Sequence, residues 1–119
     1  MARQDIRLKR VYEPPAEDDG QRVLVDRVWP RGIRKDAANL TLWLKDVAPS
    51  TALRKWFGHD VARWDEFVRR YRAELDDNAA ALSPLDDLLE KGRVTLLYGA
   101  HDEAHNQAVV LAAYLRSRR

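Results

Sequence analysis

Asp26, Arg27, Trp29 and Arg31 fall within six positions of one another, inside the stretch Val23 to Gly32 that reads VLVDRVWPRG. A carboxylate, two guanidinium groups and an indole at that spacing suit the recognition of a small anion. Arginine clamps a phosphate or carboxylate with paired N–H donors, and tryptophan supplies an apolar wall or stacking platform. The aspartate orients an arginine or serves as a general base. A second concentration, HDEAHN, occupies His101 to Asn106. Read as the start of a helix, it makes Asp102 the N-cap and offers unpaired backbone N–H groups to an anion. His105 lies one turn ahead of Val109 and Asn106 one turn ahead of Val110, so both polar groups are expected to face inward. The candidates are therefore Asp26 and His105 as catalytic acid–base groups. Arg27, Trp29, Arg31, His59, Asp102 and Asn106 are the ligand-binding candidates.

Both concentrations must be held by the elements before them. Arg22 to Val28 reads as a buried strand closed by Trp29-Pro30-Arg31-Gly32, and Val94 to Tyr98 as a second buried strand. Parallel strands joined by helical crossovers end side by side, and loops beyond the carboxyl ends of such strands are where ligands bind. This predicts that Asp26, Arg27 and Arg31 share one pocket with His105 and Asn106. Around this pair, Ile6, Leu8 and Val11 suggest a half-buried first strand. Glu13 to Gly20, with two prolines and several acids, reads as a surface loop. Leu40, Trp43, Leu44 and Val47 recur at helical spacing behind a cap at Asp36 or Asn39. Ser50 caps a short helix that ends at Gly58, and Asp60 caps the longest helix, with Val61, Trp64, Phe67, Val68, Tyr71 and Leu75 along one face. Ser83-Pro84 resembles a further helix start, and a last helix runs from about Glu103 to Arg116. Strands alternating with helices predict an α/β fold: a small, mostly parallel sheet with helices on its faces, in one domain spanning residues 1–119 with 1–5 and 116–119 frayed.

Composition narrows the function. The chain has 21 Lys+Arg against 19 Asp+Glu, a net charge of +2, which disfavours nucleic acid as the partner. With no cysteine, disulfides, thiolate metal sites and thiol nucleophiles are excluded, and a cytoplasmic location is expected. No signal peptide or membrane-spanning apolar run is present. His101 and His105 are spaced as two metal ligands on one helix face, but HDEAH lacks a third, so no metal is assigned. No phosphate-cradling glycine loop or nucleophile elbow occurs, and no cofactor is implied. The structural readings stand beside these. Asp26 with an arginine makes a bracing salt bridge, Asp102 a plain cap, His59 and His105 satisfied histidines, and Trp29 a core filler.

Four ordered motifs, LVDRVWPRG, WLKDVAPS, LRKWFGHD and YGAHDEAHNQAVVL, together resemble the YeaO-like branch of a bacterial family that carries a domain of unknown function. The resemblance covers Val23 to Leu115 and implies a compact cytoplasmic α/β domain. It supplies no reaction, substrate or partner. Longer relatives carry cysteines where this chain has none, so thiol chemistry does not transfer. The expected function is binding of a small phosphorylated or carboxylated molecule, with acid–base or hydrolytic chemistry as an extension. The alternatives are nucleic-acid binding through Arg31, Arg34 and Lys35, and a structural or protein-interaction module whose polar cluster braces the fold.

Overall fold

Four short runs become strands: β1 (Ile6–Arg10), β2 (Gln21–Leu24), β3 (Leu42–Trp43) and β4 (Val94–Tyr98). In the computed structural model, which describes residues 5–118, they form one sheet of order β1-β4-β2-β3 with every pairing parallel. All five residues of β4 are buried, as an uninterrupted apolar run requires when both faces of its sheet are covered. Val23 lies level with Leu96 and Leu24 with Leu97, so β2 and β4 end side by side. The two strands that precede the candidate residues are direct neighbours, as the sequence predicts.

The helices are α1 (Lys35–Ala38), α2 (Thr51–Phe57), α3 (Trp64–Asp76), α4 (Ala79–Lys91) and α5 (Gln107–Ser117). Side chains alternate across a strand, and here the alternation sorts two cores. Val23, Val25, Val94 and Leu96 pack with Phe57, Phe67, Tyr71, Leu75, Leu85 and Leu111 from the helices. Leu24 and Leu97 point the other way, joining Val11 beneath Trp29, Ile33, Leu40 and Trp43. The four longer helices thus cover one face, while loops and the single turn of α1 cover the other. The fold class is α/β, with loops where a second helical layer was allowed for.

Several local expectations hold in detail. The Ser50 hydroxyl accepts from Leu53 N–H at the start of α2, and Gly58 ends that helix at φ 54°, a left-handed conformation that glycine adopts without strain. Others do not hold. Asp60 accepts from Ala62 N–H, but it caps the 3-10 turn Val61–Arg63 rather than α3. That helix starts at Trp64 behind Arg63 with no side-chain cap, and Val61 is exposed rather than on the apolar face. Strand pairing after β2 ends with Val25 N–H donating to Leu97 C=O at 3.0 Å, and Val28 is exposed rather than in a strand. No α-helix carries Leu40 to Val47; only Lys45–Val47 forms a 3-10 turn. Asn39 ends α1 in the left-handed region, and Thr41 and Leu44 donate to Arg22 and Leu24 of β2. The open edge of β2 offered backbone partners that outweighed an apparent helical spacing. Ser83-Pro84 starts nothing either. Pro84 lies inside α4, where the buried Leu82 and Leu85 on either side anchor the helix despite the lost N–H.

The described residues near the chain ends have partners within the fold. Residues 116 and 117 belong to α5, the Arg116 guanidinium donates to Ile6 C=O, and Arg118 pairs with Asp86. Asp5 pairs with Arg93 at 3.0 Å; residues 1–4 and 119 lie outside the described residues.

Candidate functional site

Asp26 sits one residue beyond the buried end of β2, and its carboxylate is held from two directions. One oxygen accepts the Gly99 N–H at 2.9 Å, just past the end of β4. The other accepts the Gln107 side-chain amide at the start of α5. A Cβ added at Gly99 would lie 2.9 Å from that same Asp26 oxygen, so glycine is what allows the carboxylate to approach the backbone. Burial pushes the Asp26 carboxyl up to about 6, against the opposing pull of the Gly99 N–H, the Gln107 amide, Arg54 and His59. Desolvation disfavours its charged form more than these groups restore it.

A second part of the site is the segment that delivers α2. Arg27 donates to the carbonyls of Pro49 (2.9 Å) and Ala48 (3.0 Å). The buried Tyr71 hydroxyl donates to Val47 C=O at 2.5 Å. Glu74 accepts both the Ser50 N–H (2.8 Å) and the Ser50 hydroxyl (2.6 Å). Residues 47–50 are therefore pinned by β2's loop and by α3, and α2 leaves from a fixed point with Arg54 on its exposed side. Arg27, expected as an anion clamp, spends two of its donors on this segment and acts as a positioning residue.

The stretch after β4 forms a turn rather than the first turn of a helix. The Asp102 carboxylate accepts from Ala104 N–H (2.9 Å) and His105 N–H (3.0 Å), and its other oxygen meets His105 Nδ1 at 2.9 Å. The Ala104 N–H and the His105 side chain are the leading causes that hold the Asp102 carboxyl below its ordinary range. The cap of α5 is Asn106, 2% exposed, which accepts from Val109 N–H at 3.1 Å while its amide donates to Asp102 C=O. Asp102 is thus a turn-former one step before the cap. A buried asparagine that serves both the helix and the preceding turn displaced it.

The loops at the carboxyl ends of β2 and β4, together with α2, enclose a cavity of about 600 Å3, the size of a small-molecule site. Asp26, Arg27, Arg31, His59, Asp102 and Asn106 line it. His105 stands behind Asp102, its ring edge-on to Trp64 at 5.1 Å, and is not part of the lining. Trp29 is absent as well. Its indole N–H donates to Ile33 C=O at 2.7 Å and its ring meets Trp43 at 5.2 Å, so it fills the loop-side core. The wall also includes Tyr12, Arg54, Phe57, Gly99 and Gln107, none of them assigned to the site from the sequence, and His101, weighed there only as a metal ligand. The arginine four places after a helix cap and the glycine just past a strand were the available signals; Gln107 carried none.

Three guanidinium groups (Arg27, Arg31, Arg54) and two imidazoles (His59, His101) face two carboxylates across this space. The side chains of Arg31 and Arg54 donate no hydrogen bond to any described residue; the Arg31 backbone carbonyl accepts from the Tyr12 hydroxyl at 2.8 Å. His59 follows Gly58 into the left-handed region at φ 59°. That conformation is uncommon for a residue with a Cβ, and it sets the imidazole at the cavity mouth. No group of three or more His, Asp or Glu side chains among the described residues is arranged to hold a metal ion.

A family model described as the inactive DUF488-N3 subclade matches residues 5–119. The chain belongs to that family. An uncharacterized protein of Mycobacterium tuberculosis is 50% identical to it over 113 residues, covering 95% of each chain. The uncharacterized protein YeaO of Escherichia coli is 45% identical over 113 residues, covering 95% of this chain and 98% of its own. These agree with the resemblance carried by the four motifs. No solved structure matches the chain. No helix among the described residues is long and apolar enough to cross a membrane.

Proposed function

We propose that this is a cytoplasmic binding protein for a small phosphorylated or carboxylated molecule, held in the cavity at the carboxyl ends of β2 and β4. The observation that carries the reading is the pair of guanidinium groups, Arg31 and Arg54, that line an open cavity without a hydrogen-bond acceptor among the described residues. A cation without a hydrogen-bonded acceptor beside low-dielectric walls attracts an anion more strongly than one in open water. The family description, inactive, favours binding without turnover. Asp26 then serves recognition and positioning, and His105 braces the turn before α5.

A second reading has its own support. Asp26 joins the loop after β2 to the loop after β4 and to α5, which is what a purely bracing residue does. Thermal-shift screening with inorganic phosphate, sugar phosphates, nucleotides and small carboxylates separates the two. The binding reading expects a saturable rise in melting temperature that vanishes in the Arg31→Gln, Arg54→Gln double variant. A panel without hits, or hits that the double variant keeps, leaves bracing as the function of the cluster.

A further inference from the structure

Five large hydrophobic side chains stay exposed among the described residues, and two of them, Tyr12 (43%) and Val28 (58%), lie on the wall of this cavity. They stand on the same mouth as Arg31 and Arg54. Pro30 and Pro49 extend the apolar surface inward. An inorganic anion would satisfy Arg31 and Arg54 yet leave that surface wet and most of a cavity of about 600 Å3 empty.

We propose that the ligand is an organic anion with an apolar body, the body lying against Tyr12, Val28, Pro30 and Pro49 and the phosphate or carboxylate meeting Arg31 and Arg54. This rests on the binding reading above and specifies its ligand class. Three features of the site argue for it. The Tyr12 ring already carries the Arg10 guanidinium at 4.8 Å from its centroid, and its hydroxyl is tied to the Arg31 carbonyl, so its position is preset rather than left to be ordered by the ligand. Val28 is held between Arg27, fixed on the 48–49 carbonyls, and Trp29, fixed on Ile33. An exposed valine on so constrained a loop offers apolar area at little entropic cost. Proline walls contribute flat apolar surface without backbone donors that a ligand would have to satisfy.

Isothermal titration of the full chain with phenyl phosphate and with inorganic phosphate tests the assignment. Covering about half of one aromatic ring should make phenyl phosphate bind about thirtyfold more tightly than inorganic phosphate. Val28→Ser changes an exposed side chain outside the core, and should weaken phenyl phosphate about fivefold while leaving inorganic phosphate unchanged. Equal affinity for the two probes overturns the ligand class and leaves the anion site standing. A preference for phenyl phosphate that Val28→Ser does not reduce overturns the assigned wall. Failure of both probes to saturate overturns the binding reading, and the ligand class with it.

Discussion

Two regions of this molecule gather charged side chains, and they close differently. On the loop-covered face, Asp19 and Arg22 are both buried and meet at 2.6 Å. Lys9 reaches the same carboxylate at 3.1 Å, Ala16 N–H donates to it, and Arg22 turns its remaining donors to the carbonyls of Ala38 and Asn39. Burial alone would push the Asp19 carboxyl up, but the Ala16 N–H, Lys9 and Arg22 outweigh it and hold the group below its ordinary range. At the carboxyl edge, burial wins instead: Asp26 rises to about 6, and the guanidinium groups of Arg31 and Arg54 have no hydrogen-bond acceptor among the described residues. A cluster whose donors and acceptors all find partners within the chain has nothing to offer a ligand. The cluster left open is the one fit for recognition.

The largest effect that would test this contrast is in the closed region. Arg22→Met leaves Asp19 and two backbone carbonyls without their buried partner. It should cost about 3–5 kcal/mol in urea unfolding while anion binding by the folded fraction stays unchanged. A loss under 1 kcal/mol would mean that this cluster braces nothing. Asp26→Asn comes next, with the opposite sign. A carboxyl whose folded value lies above its unfolded one contributes stability that is complete below about 4 and lost as pH rises through about 6. The asparagine keeps an acceptor for Gly99 N–H, and the Gln107 amide can reverse to accept from its NH2. The variant should therefore gain on the order of 2 kcal/mol at pH 8 and nothing at pH 4. Equal stability changes at both pH values would remove the claim that burial strains this carboxylate.

Asn106→Ala sharpens the picture of how the open region is built. It removes the cap of α5 and the tie to Asp102 C=O, a loss of about 1–2 kcal/mol in thermal or urea unfolding. A cost no larger than that of Asp102→Ala would return the cap to Asp102. The smallest stability effect is expected from Arg54→Gln, within about 0.5 kcal/mol of the parent because the side chain is exposed and donates to no described residue. Its binding effect is large by comparison, about tenfold or more weaker for phosphate. A destabilised variant with intact binding would reverse the roles assigned to the two regions.

The strands that matter were readable because Val23 to Val25 and Val94 to Tyr98 are apolar runs bounded by turn residues, and such runs have few alternatives to a central strand. Strand order was not readable, and the adjacency of β2 and β4 entered only as a condition; with that condition met, Asp26, Arg27, Arg31 and Asn106 meet at one cavity. What failed was set by non-local partners. Trp43 keeps helical spacing with Leu40 and Val47, and only the open edge of β2 makes Leu42 and Trp43 a strand. Trp29 belongs to the loop-side core because Trp43 and Ile33 wait there, which no local pattern announces. Asp102 and Asn106 are both good caps, and the choice between them depended on Asn106 being buried beneath the preceding turn. Arg54 was visible only as one basic residue on a short helix. Its importance comes from three side chains, Arg27, Tyr71 and Glu74, that fix the segment before it.

The central claim is that one charged cluster is closed and the other open to an anion. Backbone amide chemical shifts followed by NMR during a titration with phenyl phosphate test it most directly. Saturable shifts are expected at residues 26–31, 54–59 and 99–107, with Lys9, Asp19 and Arg22 unmoved. Saturable shifts centred on Asp19 and Arg22, or none at the carboxyl edge of the sheet, would contradict it.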